Sequence, residues 1–157
     1  MARYQPALLG GLFIGILSAL PIIGAFNACC CLWVVVGGVL TTYLMQQNDP
    51  LPIETSAAAM GGLIAGAIGG VVMTIGSQIV MLVTGGAAAQ REAMDQVFSQ
   101  MGDVPPEMVE MIERFSTGPA AVFITAAITI PVFAVFGLLG ALLGLAFFRK
   151  KAGPAAA

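Results

Sequence analysis

Hydrophobic positions in this chain fall into long unbroken runs, without the short alternations that mark strands or half-buried helices. Four such runs cover residues 6–23, 29–45, 57–84 and 119–148. A helix crosses a bilayer with roughly 17–25 apolar residues, so the pattern predicts an all-α, polytopic membrane protein with four transmembrane helices in a single membrane domain. At about 1.5 Å per residue the third and fourth runs exceed a hydrocarbon core of about 30 Å. They are expected to tilt, to project, or to kink at Pro131.

The links between runs carry turn chemistry. Pro21 and Gly24 are expected to end the first helix and Asn27 to cap the second, which makes these two an antiparallel hairpin. Residues 46–54 contain Asn48-Asp49-Pro50 and Pro52 and read as a turn, with Thr55 or Ser56 capping the third helix. In the long link, residues 85–118, Met94, Val97, Phe98 and Met101 form one helical face, and Met108, Met111, Ile112 and Phe115 form another. Between them stands Pro105-Pro106, followed by Glu107 and Glu110. The pattern predicts two short amphipathic helices. Their acidic faces favour packing on the ends of the transmembrane helices over adsorption to anionic lipid.

Small residues recur at a spacing of four on the predicted spans. Ala58, Gly62, Gly66 and Gly70 form the longest row, and Gly61, Ala65 and Gly69 lie beside it. Gly11 and Gly15 continue the pattern in the first helix, and Gly140 and Gly144 in the fourth. Such rows leave grooves where backbones approach closely, which lipid rewards because it supplies no hydrophobic force between helices. The expected role is a helix-packing seam. A seam between copies or the lining of a pore is the sharper version. Gly-Gly-Leu-x-x-Gly occurs at residues 10–15 and again at 61–66, which raises a helix-pair duplication.

Composition narrows the picture. The chain is 59% hydrophobic and 9% charged, far from a soluble domain's mixture. Arg3 precedes the first span and Arg149, Lys150 and Lys151 follow the fourth. The positive-inside rule therefore places both termini in the cytoplasm and residues 85–118 outside. No basic stripe exists for nucleic acid. An N-terminal signal ending before Cys29 is disfavoured by Phe26 and Asn27, and cleavage there would discard a helix that pairs with the second.

Candidate chemistry is sparse. Without histidine there is no common general base or metal ligand, so neither an enzyme, a cofactor nor a metal site is expected. Cys29, Cys30 and Cys31 point about 100° apart on a helix and read first as packing, with lipid modification, a partner disulfide or a metal as alternatives. Gln78 is the costliest intramembrane side chain to expose and is expected to bond another helix. Met108 and Met111 share a face and raise a soft-metal reading, against which Ile112 and Phe115 continue the same face as apolar packing.

Asn27-x-Cys29-Cys30-x-Leu32-Trp33, with Gly37-Gly38 and Tyr43 after it, resembles a group of small bacterial integral membrane proteins. They share a helical hairpin, a second helix pair and a linker like Pro105-Pro106-Glu107 here. The resemblance implies a four-helix membrane protein and carries no activity with it. The expected function is a structural or accessory subunit that assembles with itself or with other membrane subunits in the lipid bilayer. The alternative is a channel or transporter-like protein with its path along the glycine-rich third helix.

Overall fold

A computed structural model of the protein describes residues 4–20, 23, 31–86, 88, 92, 95–96, 99–100, 105, 107–108, 110–111 and 119–148. These residues are helical apart from turns. The four elements are α1 (Gln5–Ala19), α2 (Leu32–Asn48), α3 (Thr55–Thr84) and α4 (Pro119–Phe148). Two element ends have a cause in the sequence. Leu20 is extended (φ −78°, ψ 127°) and stops α1, as steric pressure from a following proline, here Pro21, requires. Gly85 closes α3 in the left-handed region (φ 65°) and donates its N–H to the Met81 carbonyl.

Two of the four expected spans pass a test of length and composition: α3 and α4 are long and apolar enough to cross a membrane. The others differ from the sequence boundaries. α1 is 15 residues and α2 is 17, or about 22 and 26 Å at 1.5 Å per residue. α2 starts three residues later than expected because Cys31, its N-cap, takes a left-handed conformation (φ 47°, ψ 38°), so the cap is not Asn27. It then runs on past Met45 to Asn48, because polarity ends an apolar run without ending a helix. Glu54, not Thr55 or Ser56, occupies the N-cap of α3, and the Ser56 hydroxyl donates to its carboxylate at 3.3 Å. α4 continues through Pro131 as one element.

α3 packs against α1 and α4; α2 closes the ring between α1 and α4 and also touches α3. Gly11 abuts Ala65 and Gly15 abuts Gly69, so α1 and α3 run parallel, while Gly62 meets Gly137 and Gly70 meets Ile130, so α3 and α4 run antiparallel. α1 therefore ends near Gly76, beside Ala19, and α3 continues beyond it for two more turns. The core is small: Ala7, Ile14, Val34, Ala65 and Phe133 form its main cluster, and Ile53, Ala58 and Leu145 a second near the α2–α3 turn.

That turn is held by a residue that reads as loop in the sequence. The Gln46 side chain is 3% exposed. Its amide donates to the Leu51 carbonyl at 2.9 Å and accepts the buried Ile53 N–H at 3.2 Å. Gln46→Ala leaves that buried N–H unpaired, which costs about 1–3 kcal/mol. A fall in the thermal midpoint in detergent is expected; an unchanged midpoint shows that the clamp is dispensable.

Candidate functional site

The residues with the most constrained surroundings are the small ones between the helices. A methyl group added at Gly66 would overlap the Phe133 carbonyl, with the Ala134 Cα at 2.8 Å. At Gly62 it would meet the Gly137 carbonyl and the Ala141 side chain, and at Gly70 the Ile130 Cα at 3.0 Å. From the other side, a methyl group at Gly137 would lie 2.5 Å from the Gly62 carbonyl and 3.0 Å from the Gly66 Cα. At Gly66 and Gly137 backbone meets backbone.

The neighbouring row turns elsewhere. Gly69 faces Ile14 of α1, with the Gly11 carbonyl 3.3 Å from its hypothetical Cβ, and Gly61 faces the Met45 sulfur of α2 at 2.6 Å. Gly11 and Gly15 receive Ile68 and Val72 of α3. On α4, Gly140 and Gly144 face α2, against Val35 and Val39 respectively. Ala58 is fully buried beside Leu145 and Ile53. The eight seam residues named from the sequence thus occupy one bundle interior but several interfaces. Spacing alone cannot say which helix each row meets. Gly10, Gly37, Gly38 and Gly137 are as tightly enclosed as those eight.

The Gly62–Gly66–Gly70 face is covered by α4 of the same chain. The repeated Gly-Gly-Leu-x-x-Gly motif also lacks equivalent surroundings. Gly10 faces α2 and Gly11 faces α3, whereas Gly61 faces α2 and Gly62 faces α4. A duplicated pair would place Gly61 against α4 and Gly62 against α1.

Apart from Gln46, the buried polar side chains among the described residues are hydroxyls. Thr41 donates to the Gly37 carbonyl at 2.9 Å and Thr74 to the Gly70 carbonyl at 2.8 Å, each one helical turn back. Thr42 instead donates across the bundle to the Ala141 carbonyl at 2.9 Å. It is a glue residue between α2 and α4 that small-residue spacing did not single out. Gln78 is half-buried at the edge of an open groove of about 410 Å³, shared with Ala19 of α1 and Ser77, Met81 and Thr84 of α3. Among the described residues, no hydrogen bond joins its amide to another helix.

At the start of α2 the Cys31 carbonyl accepts the Val34 and Val35 N–H groups at 2.9 and 3.0 Å. Cys29 and Cys30 lie outside the described residues. The Trp33 indole donates to the Ile23 carbonyl at 2.9 Å and meets Phe13 edge-on at 6.4 Å, fastening this end of the α1–α2 hairpin. The described carboxylates, Asp49, Glu54, Glu92, Asp95, Glu107 and Glu110, are all exposed and lie in the links between helices. Among the described residues no three Cys, Asp or Glu side chains converge as metal ligands would. The interior offers hydroxyls, carbonyls and close contact.

Substitutions should grade with what they meet. Gly66→Ala drives a methyl into backbone that cannot yield and costs about 1–3 kcal/mol, as overpacking does, and Gly66→Leu parts α3 from α4. Gly86→Ala, at the open end of α3, is the control with little effect. Thr42→Val removes the cross-bundle bond and costs about 0.6–2 kcal/mol. Thermal unfolding in mild detergent checks the order, and equal midpoints for Gly66→Ala and Gly86→Ala would remove the seam from the account.

No protein-family model, curated protein or solved structure matches this chain.

Proposed function

We propose that the protein is a non-enzymatic integral membrane protein of four crossing helices, acting as a structural or accessory subunit within the bilayer. One observation carries this reading: large apolar side chains point outward on every helix, while glycine and alanine line the closest helix contacts. Leu8, Leu9, Leu12 and Ile16 are exposed on α1, Leu32 and Val36 on α2, Val71, Ile75 and Ile79 on α3, and Ile128, Val135, Leu139 and Leu143 on α4. In water such a surface far exceeds the apolar patch a monomer tolerates; in lipid it is the expected exterior.

The same observation extends to α1, which is apolar but short, and to α2, which is short and carries a polar end at Gln46, Gln47 and Asn48. α1 lies parallel to α3 at backbone contact from Gly11 to Ala19, and therefore shares its depth in the membrane. α2 lies likewise along α4, with Val35 at Gly140 and Val39 at Gly144. The positive residues Arg3, Arg149, Lys150 and Lys151 favour a cytoplasmic position for both termini, and residues 85–118 then lie outside a bacterial inner membrane. Because the glycine rows are engaged within the chain, association with a second copy or other membrane subunits uses the outward faces. A solute path between α3 and α4 would require parting helices that touch through their backbones, which favours the subunit over the channel.

Two measurements test this. Single cysteines introduced by Tyr4→Cys and Leu20→Cys, with the native cysteines replaced by alanine, should react with an impermeant maleimide from opposite faces of the membrane. Labelling from one face would mean that α1 does not cross. Purification from the native membrane in mild detergent should bring down a second copy or partner subunits, and reconstituted vesicles should stay tight to ions. A lone monomer, or vesicles that leak, overturns the subunit reading.

A further inference from the structure

We infer that the basic segment Arg149-Lys150-Lys151 is seated on the α2–α3 turn, where its cations pair with the carboxylates of Asp49 and Glu54. The three residues lie outside the described ones, but Phe148, to which they are attached, is described. The packing of α4 against its neighbours therefore sets where the segment starts.

Two contacts bring the end of α4 to the turn. Ala58 of α3 is buried beside Leu145 of α4, and these helices are antiparallel. Glu54 stands four residues before Ala58 and Arg149 four after Leu145, so both leave that contact in the same direction by about 6 Å. They extend the facing rows of the seam, Gly66–Gly62–Ala58 on α3 and Gly137–Ala141–Leu145 on α4. On the other side, the Phe148 ring meets Tyr43 of α2 edge-on at 5.1 Å. α2 runs parallel to α4, with Val35 at Gly140 and Val39 at Gly144, and its C-cap is Asp49, six residues past Tyr43. The end of α4 thus comes out beside both acids.

Charge favours the same placement. Of the chain's 8 acids, Asp49 and Glu54 alone lie outside residues 85–118, and both are exposed. Asp49 Oδ1 accepts the Leu51 N–H at 3.1 Å and Glu54 Oε2 accepts the Ser56 hydroxyl at 3.3 Å, so the turn holds both carboxylates in place. A single exposed ion pair contributes little, whereas a guanidinium and two ammonium groups converging on two fixed carboxylates form a network. The segment acts as a latch. It ties the end of α4 to the turn that Gln46 closes, and it answers positive charge within the chain instead of at anionic headgroups.

Zero-length carbodiimide crosslinking of the full-length protein reads this with every native residue in place. Mass spectrometry should find Lys150 or Lys151 joined to Asp49 or Glu54 in mild detergent, in phosphatidylcholine vesicles, and in vesicles that also contain phosphatidylglycerol. Absence of the crosslink overturns the inference. So does a crosslink lost when phosphatidylglycerol is present, because the segment would then serve anionic lipid. A charge exchange gives an independent readout. Asp49→Lys with Glu54→Lys should lower the thermal midpoint in detergent at low salt, and adding Arg149→Glu and Lys150→Glu should restore it, with both shifts shrinking at high salt. A combined variant no more stable than the first overturns the pairing. Neither readout depends on how the helices cross the membrane, which the labelling of Tyr4→Cys and Leu20→Cys decides separately.

Discussion

Everything else in this bundle depends on how closely α3 and α4 approach at Gly62, Gly66 and Gly137. Lipid offers no hydrophobic force to press two helices together, because acyl chains are as apolar as leucine. What remains is dispersion between atoms in contact, which is small per pair and falls away quickly with a gap. Glycine removes the side chain that would hold the backbones apart. Its usual cost inside a helix, about 1 kcal/mol relative to alanine, reflects flexibility and solvent access that the bilayer largely withholds. Once α3 and α4 are docked, the second small row of α3 points at α1, and Gly140 and Gly144 of α4 point at α2. The first contact thus sets the angles at which the shorter helices join.

Polar groups are placed to respect that close packing. Thr41 and Thr74 bond to carbonyls of their own helices, so each hydroxyl is satisfied without demanding a partner across the seam. Thr42 is placed where α2 and α4 are near enough for its hydroxyl to reach the Ala141 carbonyl. Gln46 does the same work for the α2–α3 turn, since Pro50 and Pro52 donate no N–H groups and the buried Ile53 N–H has no helical acceptor. Interior polarity here closes connections and joins helices.

The long apolar runs gave α3 and α4 almost to the residue, because composition and helix length coincide in both. α1 and α2 were less legible. Their ends are set by backbone conformation at Leu20 and Cys31, and a left-handed cysteine has no sequence signal comparable to glycine. Spacing identified small-residue faces but could not assign their partners, because one helix can carry two adjacent rows that serve two neighbours, as Gly66 and Gly69 do. Gln46 was hidden by its neighbours: Gln47, Asn48 and Asp49 are exposed, and nothing in the run distinguishes the one glutamine turned inward.

The lengths of the helices bear on where the membrane lies. α3 and α4 each have 30 residues, about 45 Å at 1.5 Å per residue. Fitting that length into a core of about 30 Å by tilt alone needs an angle near 48°, beyond the roughly 0–40° that helices adopt. Some of each helix therefore projects, or the bilayer thickens around it. With all four helices crossing, as proposed, α1, at about 22 Å, pulls the other way and favours thinning. The Trp33 indole gives the Ile23 carbonyl, beyond the end of α1, a hydrogen-bond partner that hydrocarbon cannot provide.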